Sequence, residues 1–205
     1  MRTRYIWSQV FAASVALSLV VAASGQTKAE KKSGGGSKHP IVVMETTMGT
    51  IKIEVFTDRA PVTAKNFLDY VTAGFYTGTI FHRVVPEFVI QGGGYLENMT
   101  RKPTNPPIKN ESKNGLKNLR GCLSMARYDD PNSATSQFFI NLKDNAHLDP
   151  PPGGFGYAVF AKVVDGMDVV DRIATVATST RSVQGTPFQN VPVKPVAVKS
   201  AQVQP

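Results

Sequence analysis

The sequence is poor in the residues that hold most small metal or redox sites. Cys122 is its only cysteine, so no internal disulfide can form. The neighbouring Leu123, Ser124 and Met125 point to a buried thiol rather than a reactive one. Only three histidines occur, His39, His82 and His147, and none falls at zinc-ligand spacing with a cysteine or carboxylate. The acidic residues Asp129, Asp130, Asp165, Asp168 and Asp171 follow no calcium-loop pattern. No metal or other cofactor is expected. The glycine run at 92–94 is followed by no nucleotide motif or helix, which excludes a phosphate cradle. After the first 25 residues no apolar run is long enough to cross a bilayer, and there is no internal repeat.

The amino-terminal stretch stands apart from the rest. Arg2 and Arg4 precede an uncharged run from Tyr5 to Ala23 that ends in small residues. This is the pattern of a secretory signal peptide over residues 1–25, with cleavage after either Ala23 or Gly25. The competing reading is an uncleaved anchor, since about 18 apolar residues suffice to span a bilayer. Residues 26–39, QTKAEKKSGGGSKH, are polar, basic and glycine-rich, and read as a flexible linker. Residues 40–205 have the length of one compact domain.

The formal charge of the 205-residue chain is +8, and +6 without Arg2 and Arg4. The basic residues are scattered and form no nucleic-acid module, so no nucleic-acid partner is expected. No spare amphipathic helix or coiled-coil repeat suggests an oligomer, and a monomer is expected.

Alternation of apolar and polar residues predicts strands at 41–46 and 50–56, joined in a hairpin at Thr47-Met48-Gly49. Pro61 opens a helix that Gly74 ends, with an apolar stripe of Val62, Phe67, Leu68 and Val71. Two strands meet at Pro86 within FHRVVPEFVIQGGG, residues 81–94. Phe81, Arg83 and Val85 are expected on one face, and after the bend Phe88 and Ile90 alternate with Val89 and Gln91. Residues 95–118, with three prolines, form a long surface excursion. Further strands are predicted at 122–126, 137–141, 158–164 and 196–203, with a second helix over 167–176 and a tight, stiff loop over 150–154. Short strands without regular strand–helix alternation argue for a mainly antiparallel barrel.

Arg83 and Gln91 are polar side chains among apolar ones, and a second segment, GCLSMARYDDPNSATSQFFIN at 121–141, again places a glutamine, Gln137, beside Phe138 and Phe139. Together with GYAVFAKVVDGMDVVDRI, these segments resemble those of the cyclophilin-type peptidyl-prolyl isomerases, in the family's order, from Pro40 to about Val203. The loop KPTNPPIKNE and the run DNAHLD are similar to exported bacterial members. The resemblance implies a mainly β fold, a closed eight-stranded antiparallel barrel capped by two α-helices. It also implies an enzyme, a peptidyl-prolyl cis-trans isomerase acting on proline-containing exported polypeptides during folding, in the periplasm. The competing function is a proline-peptide binding module or chaperone in which turnover is incidental.

The resemblance assigns catalytic parts to Arg83, Phe88 and Gln91. It places Phe88, Val89, Phe139 and Leu148 around a proline pocket with Tyr157 at the rim, Ala126, Arg127 and Gln137 along a neighbouring groove, and His147 among the substrate-binding residues. The family does not assign catalysis to His82. The chain departs from familiar eukaryotic members at Val89, where they have methionine, at Tyr157, where they have histidine, and at Glu87, where glycine is frequent. His147 replaces a tryptophan that contacts cyclosporin, so sensitivity to that inhibitor should be weak.

Overall fold

The computed structural model describes residues 39–205. The expected signal peptide and all of the linker except His39 lie outside the described residues. Ten strands and two α-helices are present: β1 (Ile41–Thr46), β2 (Gly49–Val55), α1 (Pro61–Thr72), β3 (Arg83–Val85), β4 (Val89–Gly92), β5 (Cys122–Met125), β6 (Phe138–Asn141), β7 (Val159–Asp165), α2 (Met167–Ala174), β8 (Thr178–Val183), β9 (Thr186–Pro192) and β10 (Val198–Val203). Eight strands form one curled antiparallel sheet in the order β10-β1-β2-β7-β5-β6-β4-β3.

The ends of this sheet meet without a full ladder. Ile80 and Ala197 form an isolated bridge. Around it, Phe81 N–H donates to Val196 O at 2.9 Å, Val198 N–H to Thr79 O at 2.8 Å, and Gly78 N–H to Val198 O at 2.8 Å. The expected barrel is thus a curled eight-stranded sheet whose seam is stitched just outside its terminal strands.

The first hairpin forms where its alternation places it. Val42, Met44, Ile51, Ile53 and Val55 are fully buried while Lys52 and Glu54 share the wetter face. Thr46 closes the reversal, its hydroxyl donating to Gly49 O at 2.7 Å and accepting from Met48 N–H at 3.0 Å.

Helix α1 buries Phe67 and Val71 as expected, with Leu68 partly buried against the core, but not Val62. Thr63, Ala64, Phe67, Tyr70 and Val71 face inward, whereas Val62 is 42% exposed. Spacings of three and four from Phe67 select Thr63, Ala64, Tyr70 and Val71, so small and polar residues complete the face at the end that apolar counting assigned to Val62. Helix α2 buries Val169, Val170, Ile173 and Ala174, and stops two residues short of the expected end.

Ala60 at the N-cap of α1 has no side-chain acceptor. Glu111, far along the chain, substitutes for one: its carboxylate accepts from Val62 N–H at 3.1 Å and Thr63 N–H at 2.8 Å, and from the Thr63 hydroxyl at 2.7 Å. Residues 95–118 are therefore more than a surface excursion, and Ser112 and Asn118 within them are 1% exposed. Glu111→Ala should cost about 1–3 kcal/mol, the penalty for orphaning charge-assisted bonds at a helix start. Urea unfolding checks this, and an unchanged midpoint would mean that solvent serves those N–H groups equally well.

Beyond the expected strands, β8 and β9 form a separate hairpin. Val183, Phe188 and Val191 from this hairpin pack with Ile80, Tyr95, Met99 and Ala197 in a small apolar cluster.

The main core fills the barrel. Phe138 lies at its centre, edge-to-face with Phe67 at 5.7 Å, Tyr76 at 5.5 Å and Phe81 at 6.2 Å between ring centroids.

Candidate active site

The candidate site lies on the face of β3, β4 and β6 opposite that core. On β6, Phe138 and Phe139 point to opposite sides, as successive strand residues must. Phe138 enters the main core, while Phe139 joins Val89 and Leu148 in a second apolar cluster, with Phe88, Ala126 and Tyr157 against it. Pairing brings the parts together: Arg83 lies opposite Gln91 between β3 and β4, and Gln91 opposite Phe139 between β4 and β6.

The face expected for Phe88 needs correction. Pro86, Glu87 and Phe88 form the turn between β3 and β4, with Glu87 at φ 56°. Strand alternation therefore begins only at Val89. Phe88 sits with Val89 and Gln91 at the site, while Ile90 is fully buried in the main core. Phe81 likewise precedes β3 and joins the core rather than sharing the Arg83 face.

Arg83, Phe88, Val89, Gln91, Ala126, Arg127, Phe139, Leu148 and Tyr157 line one cavity of about 270 Å³. That is small beside the roughly 300–1,000 Å³ of many ligand pockets, and suits a compact apolar ring. Tyr157 meets Phe139 edge-on at 5.5 Å. The Arg83 guanidinium lies 5.7 Å from the Phe88 ring centroid, so a cation borders an apolar floor.

Gln137 lies outside this cavity and lines an adjoining one of about 220 Å³ that shares Gln91, Ala126 and Arg127. Gln91 Nε2–H donates to Gln137 Oε1 at 3.0 Å, which spends one amide hydrogen and leaves the Gln91 carbonyl oxygen as an acceptor. His147 is exposed and lines neither cavity. Its ring stacks on Phe88 at 5.4 Å and 24°, so it backs the pocket wall from outside.

Several supporting residues have no counterpart in the sequence reading. Asn145, in the approach to a 3-10 turn at Ala146–Leu148, donates from Nδ2 to Phe88 O at 3.0 Å and to Asn141 Oδ1 at 2.9 Å. Asn141 in turn donates to Cys122 O at 3.0 Å, and Ser124 to Asn118 Oδ1 at 2.7 Å. This buried network fixes the backbone carrying Phe88 and the turn carrying Leu148. The glycine run also has a use. A Cβ on Gly94 would lie 2.6 Å from Gln137 Cγ, and Gly93, at φ +82°, would place one 2.9 Å from Ser136 O. The bare backbone lets β6 and Gln137 approach.

His82 is 5% exposed and packs against Tyr95, the ring centroids 4.7 Å apart and the planes tilted by 60°. Burial, reinforced by the adjacent Arg83 cation, lowers its pKa to about 4. An unfolded histidine titrates near about 6.5. Between that value and 4, the unfolded chain takes up a proton that the folded chain refuses. Stability is therefore present above about pH 6.5 and lost as pH falls toward 4, by about 3 kcal/mol in all. His82→Gln should flatten the stability profile across this window. An identical slope in the variant would assign the acid sensitivity to other groups.

Among the described residues, no cluster of three or more His, Cys, Asp or Glu is arranged to hold a metal ion, and no helix is long and apolar enough to cross a membrane.

Residues 41–203 match the family model described as cyclophilin type peptidyl-prolyl cis-trans isomerase/CLD. The chain is 54% identical over 162 residues to peptidyl-prolyl cis-trans isomerase A of Dickeya dadantii, covering 79% of this chain and 83% of that protein. It is 52% identical over 166 residues to peptidyl-prolyl cis-trans isomerase B of Escherichia coli, covering 80% of this chain and 99% of that protein. A crystal structure of a Cryptosporidium parvum cyclophilin type isomerase, determined in the presence of the dipeptide Ala-Pro, matches with a TM-score of 0.68 and 28% identity, covering 80% of this chain and 99% of that one. Because the family model spans residues 41–203 and both bacterial relatives are more than half identical over that stretch, the chain belongs to the family of cyclophilin-type peptidyl-prolyl cis-trans isomerases.

Proposed function

We propose that the protein is a peptidyl-prolyl cis-trans isomerase in which the cavity around Phe88, Val89, Phe139 and Leu148 holds a proline ring while Arg83 stabilises the twisted amide. The observation that carries this reading is the Arg83 guanidinium bordering the apolar floor at Phe88.

The chemistry needs few parts. Rotation about a peptide bond must overcome a barrier of about 18–20 kcal/mol because amide resonance is lost, while the cis and trans forms of an X-Pro bond differ by only about 0.5–1 kcal/mol. At the twisted state the prolyl nitrogen recovers a lone pair. A donor fixed near that nitrogen binds the twisted amide better than the planar one, which is the condition for acceleration. A guanidinium serves because it remains charged and presents rigid N–H groups; no proton transfer or covalent intermediate is required. Gln91, bonded to Gln137 and opposite Arg83 in the ladder, would orient Arg83 or bind a substrate carbonyl with its remaining amide hydrogen. Ala126 and Arg127 would border the peptide on the groove side.

We further propose that the substrates are proline-containing polypeptides folding after export, with residues 1–25 removed as a signal peptide and the protein working in the periplasm. The charge pattern of the leader supports this reading. The mass of the exported chain separates a removed signal from a retained anchor.

The deciding experiment follows the cis-to-trans rate of a short X-Pro peptide with purified residues 26–205. Acceleration is expected. A folded protein that binds the peptide without accelerating it would instead be a proline-peptide binding module.

A further inference from the structure

Next to the proposed proline cavity, the adjoining cavity carries an uncompensated positive charge. Its lining includes Arg101 and Arg127, with Gln91, Gln137, Ser133 and Tyr128, and contains neither aspartate nor glutamate. The Arg127 guanidinium is held by backbone carbonyls. Arg127 donates from Nη1 to Tyr128 O at 2.8 Å and Asp129 O at 3.3 Å, from Nη2 to Phe155 O at 3.1 Å, and from Nε to Gly156 O at 3.2 Å. It also lies 4.8 Å from the Tyr157 ring centroid. All these partners are neutral, so the cation retains its full charge.

Arg101 is exposed, with its guanidinium 5.9 Å from the Tyr128 ring centroid, and it forms no ion pair among the described residues. Its backbone is fixed by a bridge to Tyr95, whose ring meets Phe188 of β9 at 5.5 Å. The stretch that follows Arg127 and Tyr128 carries Asp129 and Asp130. Neither lines the cavity, and Asp130 Oδ1 already accepts from Asn132 N–H at 2.9 Å.

Stacking on an aromatic face limits the conformational freedom of a long cationic side chain, which lowers the cost of forming an ion pair with it. The two cavities share Gln91, Ala126 and Arg127, so a peptide seated in one runs past the other within a few residues of about 3.3 Å each. We infer that Arg101, with Arg127 beside it, makes the protein selective for proline peptides that carry an aspartate or glutamate within three residues of the proline. This inference rests on the proline-site reading and specifies its substrate class.

The test compares short proline peptides with Glu, Gln or Lys at single positions from three residues before to three after the proline. Both Kd and kcat/KM are measured, with the full chain after any natural processing. At one or more positions, Glu peptides should be preferred over Gln by about two- to fivefold, and Lys peptides disfavoured. The preference should fall to about one in Arg101→Gln, return in Arg101→Lys, and persist in Lys199→Gln, which removes the same charge at a residue lining neither cavity.

Equal Glu and Gln values at every position would overturn the inference. So would a preference that survives in a folded Arg101→Gln variant, or one that vanishes equally in Lys199→Gln and therefore reports only net charge. Because binding is measured separately, a Glu preference in Kd without turnover would uphold the acidic selectivity while defeating the isomerase reading.

Discussion

Arg83→Ala is expected to lower kcat/KM for cis-to-trans rotation of an X-Pro peptide by about 100- to 1,000-fold, the usual effect of removing one preorganised donor from a reacting centre. The fold should survive. Arg83 is only partly buried and forms no salt bridge among the described residues, and its contact with the Phe88 ring is worth about 0.5–1 kcal/mol. Arg83→Lys should recover little activity, because an ammonium is a compact point charge without the planar fork. A coupled peptide assay and a denaturation curve on each variant check both halves. Wild-type turnover in a folded Arg83→Ala protein would remove the electrostatic mechanism.

The largest loss of stability is expected from Phe138→Ala, about 3–5 kcal/mol. The ring is fully buried and meets Phe67, Tyr76 and Phe81 edge-to-face, so truncation leaves a cavity surrounded by other large rings that cannot easily collapse into it. With total stabilities of small domains near about 5–15 kcal/mol, this is a substantial fraction. Urea unfolding measures it. A loss below about 1 kcal/mol would mean that the surrounding rings repack. Its neighbour Phe139 projects to the other face, so truncation there should act chiefly on peptide capture.

The parts of the fold that could be read in the sequence are those in which burial and residue type agree. The β1–β2 hairpin has alternating apolar residues on a dry face, and the sequence pattern predicts it closely. The candidate site could be proposed from the sequence only through the family resemblance, since Arg83 and Gln91 in apolar strands and Gln137 just before β6 would otherwise read as solvated polar residues.

Other features lacked that agreement. The β8–β9 hairpin is mostly exposed, so hydrophobic alternation did not mark it; its available signal was Gln184-Gly185, both at positive φ between the strands. Asn118, Asn141 and Asn145 are buried polar residues, whose role depends on partners distant in sequence. The inward face of α1 includes Thr63 and Asn66, so apolar residues alone placed Val62 in a stripe it does not join. The face of Phe88 depended on where the turn ended, a matter of a single residue.

The β8–β9 hairpin covers the edge at which a strand of another molecule would most easily add. An open sheet end exposes backbone donors and acceptors to which another molecule's strand can add. Here β3, one end of the sheet, is only three residues long, and the seam beside it has few hydrogen bonds. Val183, Phe188 and Val191 of the hairpin pack over Ile80 and Ala197, the two residues that bridge this seam, and β9 also contacts β3. The hairpin thus serves as an edge guard: it excludes water from the weakest closure of the sheet and blocks the approach of a foreign strand.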